Sequence, residues 1–250
     1  MLRTRVIPVL LLRDQSLVKT TRFRRTNYIG DPCNTVRIFN ELEVDELIFL
    51  DIRATPEGNG PNLKILKDIA NECFMPLGYG GGIHNIETAK AVFDIGFEKI
   101  VVNSAALKRP ELIYDLAQHY GSQAIVAAID VSNDWRGRHR VYQHCKNKTL
   151  RKDPAQWARE LQEMGAGEIL LTSIEREGTW TGFDINLVRC VSDAVTIPVI
   201  AHGGAGDQSH ILSVIRDGNA SAVGLGSMVV YQKKNCGVLV NFPALVGHYT

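Results

Sequence analysis

Cysteine is scarce and scattered in this chain. Its five copies, Cys33, Cys73, Cys145, Cys190 and Cys236, form no C-x-x-C pair and have no histidine at zinc-ligand spacing. That argues against a structural metal and for reduced thiols. Excess charge is missing too. With 28 Lys+Arg against 27 Asp+Glu, the net charge of +1 gives no electrostatic case for nucleic acid or an acidic membrane. No apolar run reaches the roughly 18 residues that a membrane span needs. The apolar stretch at 6–12 meets Arg13-Asp14 at once and lacks a small-residue cleavage site, so it reads as a strand rather than a secretory signal. No linker or low-complexity tract divides the 250 residues, which predicts one domain over 1–250. No G-x-G-x-x-G follows the first strand, so a dinucleotide-binding sheet is disfavoured. Neither a metal nor a cofactor is called for, and the expected location is the cytoplasm.

What the chain does have is alternation. Apolar strand candidates fall at 5–12, 46–51, 76–79, 99–103, 124–130, 168–172, 198–201 and 221–225. Several are apolar on consecutive residues, as parallel strands covered on both faces are. Helix-period segments lie between them at 62–73, 86–95, 110–120, 154–164 and 209–216. Eight strand–helix alternations predict an α/β fold, a single (β/α)8 barrel. The chain also repeats itself. A shift of 122 positions lays Gly81 and Gly82 on Gly203 and Gly204, Gly96 on Gly218 and Glu46 on Glu168. With a three-residue loop adjustment, the first strand falls on 124–130, so the barrel reads as two similar (β/α)4 halves.

In such a barrel the functional groups stand at the carboxyl ends of strands. Gly80-Gly81-Gly82 and Gly203-Gly204-Ala205-Gly206 both fall there, with Asn103-Ser104 and Gly226-Ser227 beside them. Glycines let a loop approach a ligand and aim N–H groups at phosphate oxygens. Two such cradles suggest an elongated ligand with a phosphate at each end; the plainer alternative is tight turns alone. Asp51 and Asp130 also close strands at the mouth, either as acid–base groups or as partners for loop N–H groups. The repeat predicts a partner for Asp130 at position 11, where the residue is Leu11. At the opposite end, Arg5, Glu46, Lys99 and Glu168 fall at or near strand starts. They are either solvated rim charges or a balanced set that pairs around the axis.

Together these residues resemble the cyclase subunit of imidazole glycerol phosphate synthase, the HisF-type barrel of histidine biosynthesis. The resemblance runs through Gly30-Asp31-Pro32, the stretch 45–51 ending in Asp51, Gly80-Gly-Gly-Ile-His84, Ala128-Ile-Asp130, the stretch 165–174 and Gly203-Gly-Ala-Gly206. It weakens over about the last twenty residues. It implies one phosphate site at Gly82, Asn103 and Ser104 and another at Gly178, Gly204, Gly226 and Ser227. It makes Lys19 the loop lysine, Asp130 the catalytic general acid, and Arg5, Glu46, Lys99 and Glu168 an axial gate for ammonia. Glu98 and Gln123 fall in the face that docks a glutaminase.

The departures from the family are informative. Leu11 stands where the family has an essential aspartate. Thr20 follows Lys19 in place of the usual glycine, and Arg22, Arg24 and Arg25 make a basic cluster. That cluster reads as a solvated loop, or as a contact for an anionic substrate or partner enzyme. Residues 231–250 lack the amphipathic closing helix. This combination resembles the HisF-like relatives of bacterial surface-polysaccharide gene sets, the glycosyl amidation-associated subfamily. It implies a barrel that docks a HisH-like glutaminase and relays ammonia to an N-acetyl sugar amidotransferase. The alternatives are a genuine cyclase–lyase of histidine biosynthesis, or a non-catalytic barrel that only binds a bisphosphate and regulates a partner; a phosphorylated small-molecule ligand is expected in either case.

Overall fold

The consecutively apolar runs form the strands of a closed barrel in the computed structural model, which describes residues 4–243. The strands are β1 (Arg5–Arg13), β2 (Leu47–Asp51), β3 (Leu77–Gly80), β4 (Lys99–Val102), β5 (Ile125–Asn133), β6 (Glu168–Ser173), β7 (Val199–His202) and β8 (Ala222–Leu225). Each pairs in parallel with the next, and β8 returns to β1 with Arg5 opposite Ala222. Closure leaves no barrel edge, and the side chains separate into two cores. Ile7, Val9, Ile48, Val101, Val126, Ala128, Leu170, Ile200 and Ala222 fill the interior. The other faces of the strands pack against the helices, with Phe39, Tyr79, Leu116 and Trp157 in that layer.

The helices are α1 (Pro32–Glu41), α2 (Leu63–Glu72), α3 (Ile86–Phe93), α4 (Ser104–Lys108), α5 (Glu111–Tyr120), α6 (Pro154–Glu163), α7 (Ile185–Ser192), α8 (Gln208–Gly218) and α9 (Ser227–Val230). Their starts are chemically marked. Asp31 and Asp153 accept from first-turn N–H groups ahead of a proline, and Asn85 makes a reciprocal capping box with Thr88. The two halves share backbone geometry where the repeat predicts it. Gly81 and Gly82 sit at φ +129° and +69°, and Gly203 and Gly204 at +93° and +112°.

Three features differ from the sequence reading. The helical period passes over α1 and α7, whose starts are legible only in their caps. The basic cluster is the tip of a β-hairpin rather than a plain loop. Ser16–Thr21 folds back on β1, and Arg25–Gly30 pairs with it. Buried Val18 and Ile29 fasten the hairpin, while Arg22 and Phe23 turn the tip at φ +52° and +57°. A tip of this kind ordinarily announces itself through Asn-Gly, which is absent here. A second hairpin, His139–Gln143 with Lys148–Thr149, extends β5. After Val230 the described residues form no helix; Tyr231 bridges Val238, and 244–250 of the final segment lie outside the described residues.

Candidate functional site at the two ends of the barrel axis

At the amino-terminal end, the four strand-start charges close into a ring. Arg5 donates from Nη1 to Glu46 Oε2 at 2.7 Å and from Nη2 to Glu168 Oε1 at 2.8 Å. Lys99 Nζ reaches Glu46 Oε1 at 2.9 Å and both Glu168 oxygens at 3.3 Å. Each carboxylate therefore bridges both cations. Glu46 is buried, so it requires these partners. Burial pulls the Arg5 pKa down, but Glu168 and Glu46 together hold it above the ordinary value. Directly inside the ring lies the apolar interior.

That interior ends in a cavity of about 290 Å³ at the opposite mouth. Leu11, Leu50, Val101, Ala128 and Leu170 give it apolar lining. Asp51, Asn103, Ser104, Asp130, Thr172, Glu177 and His202 give it polar lining, and Phe23, His144 and Cys145 reach it from the hairpins. The Phe23 and His144 rings meet edge to face at 5.8 Å, so the two hairpins touch beside the mouth.

Asp130 accepts from Asn103 Nδ2 at 2.8 Å. Burial pushes its pKa up to about 7, against the hydrogen bonds from Asn103 and Thr172. A carboxyl raised in the folded state favours folding most below its ordinary value near 3.8, and that contribution is lost as pH rises through about 7. Asp130→Asn is therefore expected to gain roughly 1–3 kcal/mol of stability at pH 8 and nothing at pH 4, read by calorimetric unfolding. Asp51 accepts from the N–H groups of Arg53 and Ala54, both at 2.9 Å, so it holds its loop while facing the cavity. Burial raises its pKa, and those two bonds partly offset the rise.

Lys19 points inward from the first hairpin. Its Nζ is buried and lies 2.7 Å from Glu177 Oε1. Glu177 also accepts from Thr20 Oγ1 at 3.1 Å and Phe23 N at 3.3 Å, pinning the hairpin over the mouth. Burial opposes the Glu177 charge, yet the Lys19 ammonium holds its pKa below the usual range. Arg22, Arg24 and Arg25 stay exposed at the tip.

The glycine-rich loops are crowded. Gly82 N donates to Thr55 Oγ1 at 3.0 Å, so that amide already has a partner. Asn103 precedes α4, and its side chain is spent on Asp130 rather than on the helix end. Ser104 Oγ accepts from Cys145 Sγ at 3.4 Å. On the other side, a β-carbon at Gly178 would lie 2.5 Å from Thr20 O, one at Gly204 2.2 Å from Gly182 O, and one at Gly226 2.7 Å from Lys19 Nζ. Close backbone approach thus requires glycine at Gly178 and Gly204, whereas at Gly226 the neighbour is the end of the Lys19 side chain. Together with Ser227 they line a small space that adjoins a surface hollow of about 590 Å³, where Arg22, Trp180, Tyr231 and Lys234 also stand. Glu98 and Gln123 are exposed at the amino-terminal end, on the loops that lead into β4 and β5.

Sequence reasoning passed over Glu177, Thr172 and His202. His202 ends β7 directly before Gly203-Gly204, where the strand-end rule could have found it. Among the described residues, no group of three or more His, Cys, Asp or Glu side chains is placed to hold a metal, and no helix is long and apolar enough to cross a membrane.

Comparison with known proteins agrees with this geometry. The histidine biosynthesis protein family matches residues 5–235. A Pseudomonas aeruginosa protein with the provisional name imidazole glycerol phosphate synthase subunit hisF2 is 44% identical, over 97% of each chain. A Leptospira borgpetersenii protein provisionally named as subunit HisF of the same synthase is 43% identical, over 97% of this chain and 96% of its own. The Solidesulfovibrio magneticus imidazole glycerol phosphate synthase subunit HisF is 42% identical, over 92% of this chain and 91% of its own.

Proposed function

This chain belongs to the histidine biosynthesis protein family as a HisF-type barrel, and from that premise we propose that it serves as the ammonia-conducting subunit of a glutamine amidotransferase complex. In this reading it docks a HisH-like glutaminase at its amino-terminal end. Ammonia enters through the Arg5–Glu46–Lys99–Glu168 ring, crosses the apolar interior and leaves at the mouth for an N-acetyl sugar amidotransferase of surface-polysaccharide biosynthesis, in the cytoplasm. The observation that carries it is the closed ring beneath an apolar interior whose upper end holds Leu11. A neutral molecule passes an apolar bore at little cost, whereas an ion does not. Leucine at position 11 removes one acid–base group from the mouth without interrupting the path.

The amino-terminal face supports docking. Phe74, between α2 and β3, is 88% exposed and sits at the same end as Glu98, Gln123 and the ring. An aromatic side chain held out in water gains most when a partner covers it. The test is to add the barrel to a HisH-like glutaminase and follow glutamine hydrolysis. Stimulation with tight binding is expected, and no stimulation would remove the reading. Phe74→Glu should weaken that binding by roughly 30-fold, the loss of one interface anchor, and leave the unfolding temperature unchanged.

A second reading keeps the synthase chemistry. Asp130, with its pKa near neutrality, suits a general acid, and the relatives carry synthase-subunit names. Turnover of the family's bisphosphate substrate by the natural chain decides for it.

A further inference from the structure

At three matching strand-end positions, the two halves of the barrel face the mouth cavity with opposite chemistry. Across β5, β6 and β7, Asp130, Thr172 and His202 stand in register, each opposite the next. The 122-residue repeat, with its loop adjustment, places Leu11, Leu50 and Gly80 at the matching positions of the first half. Those three also stand in register, and all six line the cavity. At these three positions the second half is therefore polar throughout and the first half has no polar side chain, although Asp51, Asn103 and Ser104 of the first half also line the cavity.

The polar row is continuous. Thr172 Oγ1 lies 3.1 Å from His202 Nδ1, and on its other side Thr172 stands directly opposite Asp130, close enough to favour the ionised carboxylate. His202 is 5% exposed, and its far nitrogen, Nε2, lies 3.7 Å from the position of a β-carbon on Gly226. His202 thus lines both the mouth cavity and the small space at Gly178, Gly204, Gly226 and Ser227.

We propose that Asp130, Thr172 and His202 form a proton relay. In it, His202 Nε2 is the acid–base group presented to the hydroxyl or N–H of a phosphorylated small molecule seated toward Ser227. The inference does not rest on the ammonia path; it concerns the cavity's own chemistry.

The relay works through one hydroxyl. With Asp130 ionised, Thr172 donates to the carboxylate and accepts from Nδ1–H, leaving Nε2 as an acceptor. When the ligand gives its proton to Nε2, the Nδ1 proton passes to Thr172 and the Thr172 proton passes to Asp130. The ligand loses one proton, Asp130 gains one, and the imidazole ends neutral as the Nε2–H tautomer. Neutrality suits the surroundings. Burial and the Lys19 ammonium push the His202 pKa down to about 3, although Glu177 pulls the other way. Asp130, faced by Glu177 and the Tyr142 phenol, titrates near 7. The relay therefore turns on Asp130, while His202 changes only which nitrogen carries hydrogen.

Nitrogen NMR of the full chain with labelled histidine reads that tautomer directly, with His202 assigned by the signal lost in His202→Gln. Between pH 5.5 and 8.5, His202 is expected to change from the Nε2–H to the Nδ1–H form, with a midpoint near 7 and no imidazolium. Thr172→Ser should keep the change, and Thr172→Val and Asp130→Asn should abolish it. A single tautomer throughout, an imidazolium forming near pH 6.5, or a change that survives Thr172→Val would overturn the relay. The isolated barrel is used without glutaminase or ammonia, so these outcomes leave the conduit reading standing or falling on its own test.

Discussion

Lys99→Ala will lower the stability of the barrel by about 3 kcal/mol and uncouple glutamine hydrolysis from ammonia delivery. The stability loss follows from the ring's arithmetic. Lys99 is one of two cations bridging Glu46 and Glu168, and the Glu46 side chain keeps only 5% of its surface exposed. Breaking a buried pair from one side typically costs roughly 3–5 kcal/mol, because the carboxylate left behind has lost both its hydration and its partner. Arg5 still holds the other oxygen of Glu46 at 2.7 Å, which keeps the expected cost at the low end. Lys99→Met with Glu46→Gln removes one charge of each sign and should recover most of that stability. It should not recover delivery, since an open ring no longer separates the apolar interior from the docking face. Denaturant unfolding reads the first effect. The ratio of glutamine hydrolysed to product amidated in the complex reads the second. If both single and double variants deliver normally, the ring is not a gate.

Leu11→Asp should destabilise the chain strongly at high pH and mildly at low pH. Leu11 is 6% exposed and shares the cavity with Leu50, Val101, Ala128 and Leu170. Those apolar neighbours offer a carboxylate no hydrogen bond and Asp130 lies across the same cavity, although Arg13 and Arg53 also line it. Burial and the second carboxyl would both raise the new group's pKa. Its folded value would then lie above its unfolded value, so the penalty is absent below about pH 4 and grows as pH rises through the folded pKa. A loss on the order of 2–4 kcal/mol at pH 8, against under about 1 kcal/mol at pH 4.5, is expected. Equal losses at both pH values would mean that lost leucine packing, not the charge, sets the cost. The natural leucine thus suits its place beside Leu50 and Gly80 at the matching strand ends of the first half.

How far the sequence could be read depends on the kind of information each element needs. The eight strands were legible because parallel strands covered on both faces must be apolar on consecutive residues, as 6–12 and 125–129 are. Helix α1 was hidden by a polar, cap-driven start at Asp31-Pro32, and the first hairpin by a tip built from Arg22 and Phe23 at positive φ instead of glycine. The four ring charges could be named from their positions at strand starts. That each carboxylate bridges both cations within 3.3 Å is a property of closure, which brings residues 163 positions apart together. Glu177 escaped for a related reason: its partners Lys19, Thr20 and Phe23 lie more than 150 residues away. His202 was in plain view before a glycine pair. Its meaning depends on Thr172 and Asp130 standing beside it in register.

On the proposed function, this barrel keeps the axial path of its family and has given up the two-carboxylate chemistry at its mouth. The most direct measurement gives the purified natural chain the family's bisphosphate substrate with ammonium salt and assays imidazole glycerol phosphate. Loss of one acid–base partner ordinarily removes about 10²–10⁴-fold of rate. No product above the uncatalysed background is expected. Turnover at an enzymatic rate would contradict that reading and make the chain a working cyclase that tolerates Leu11.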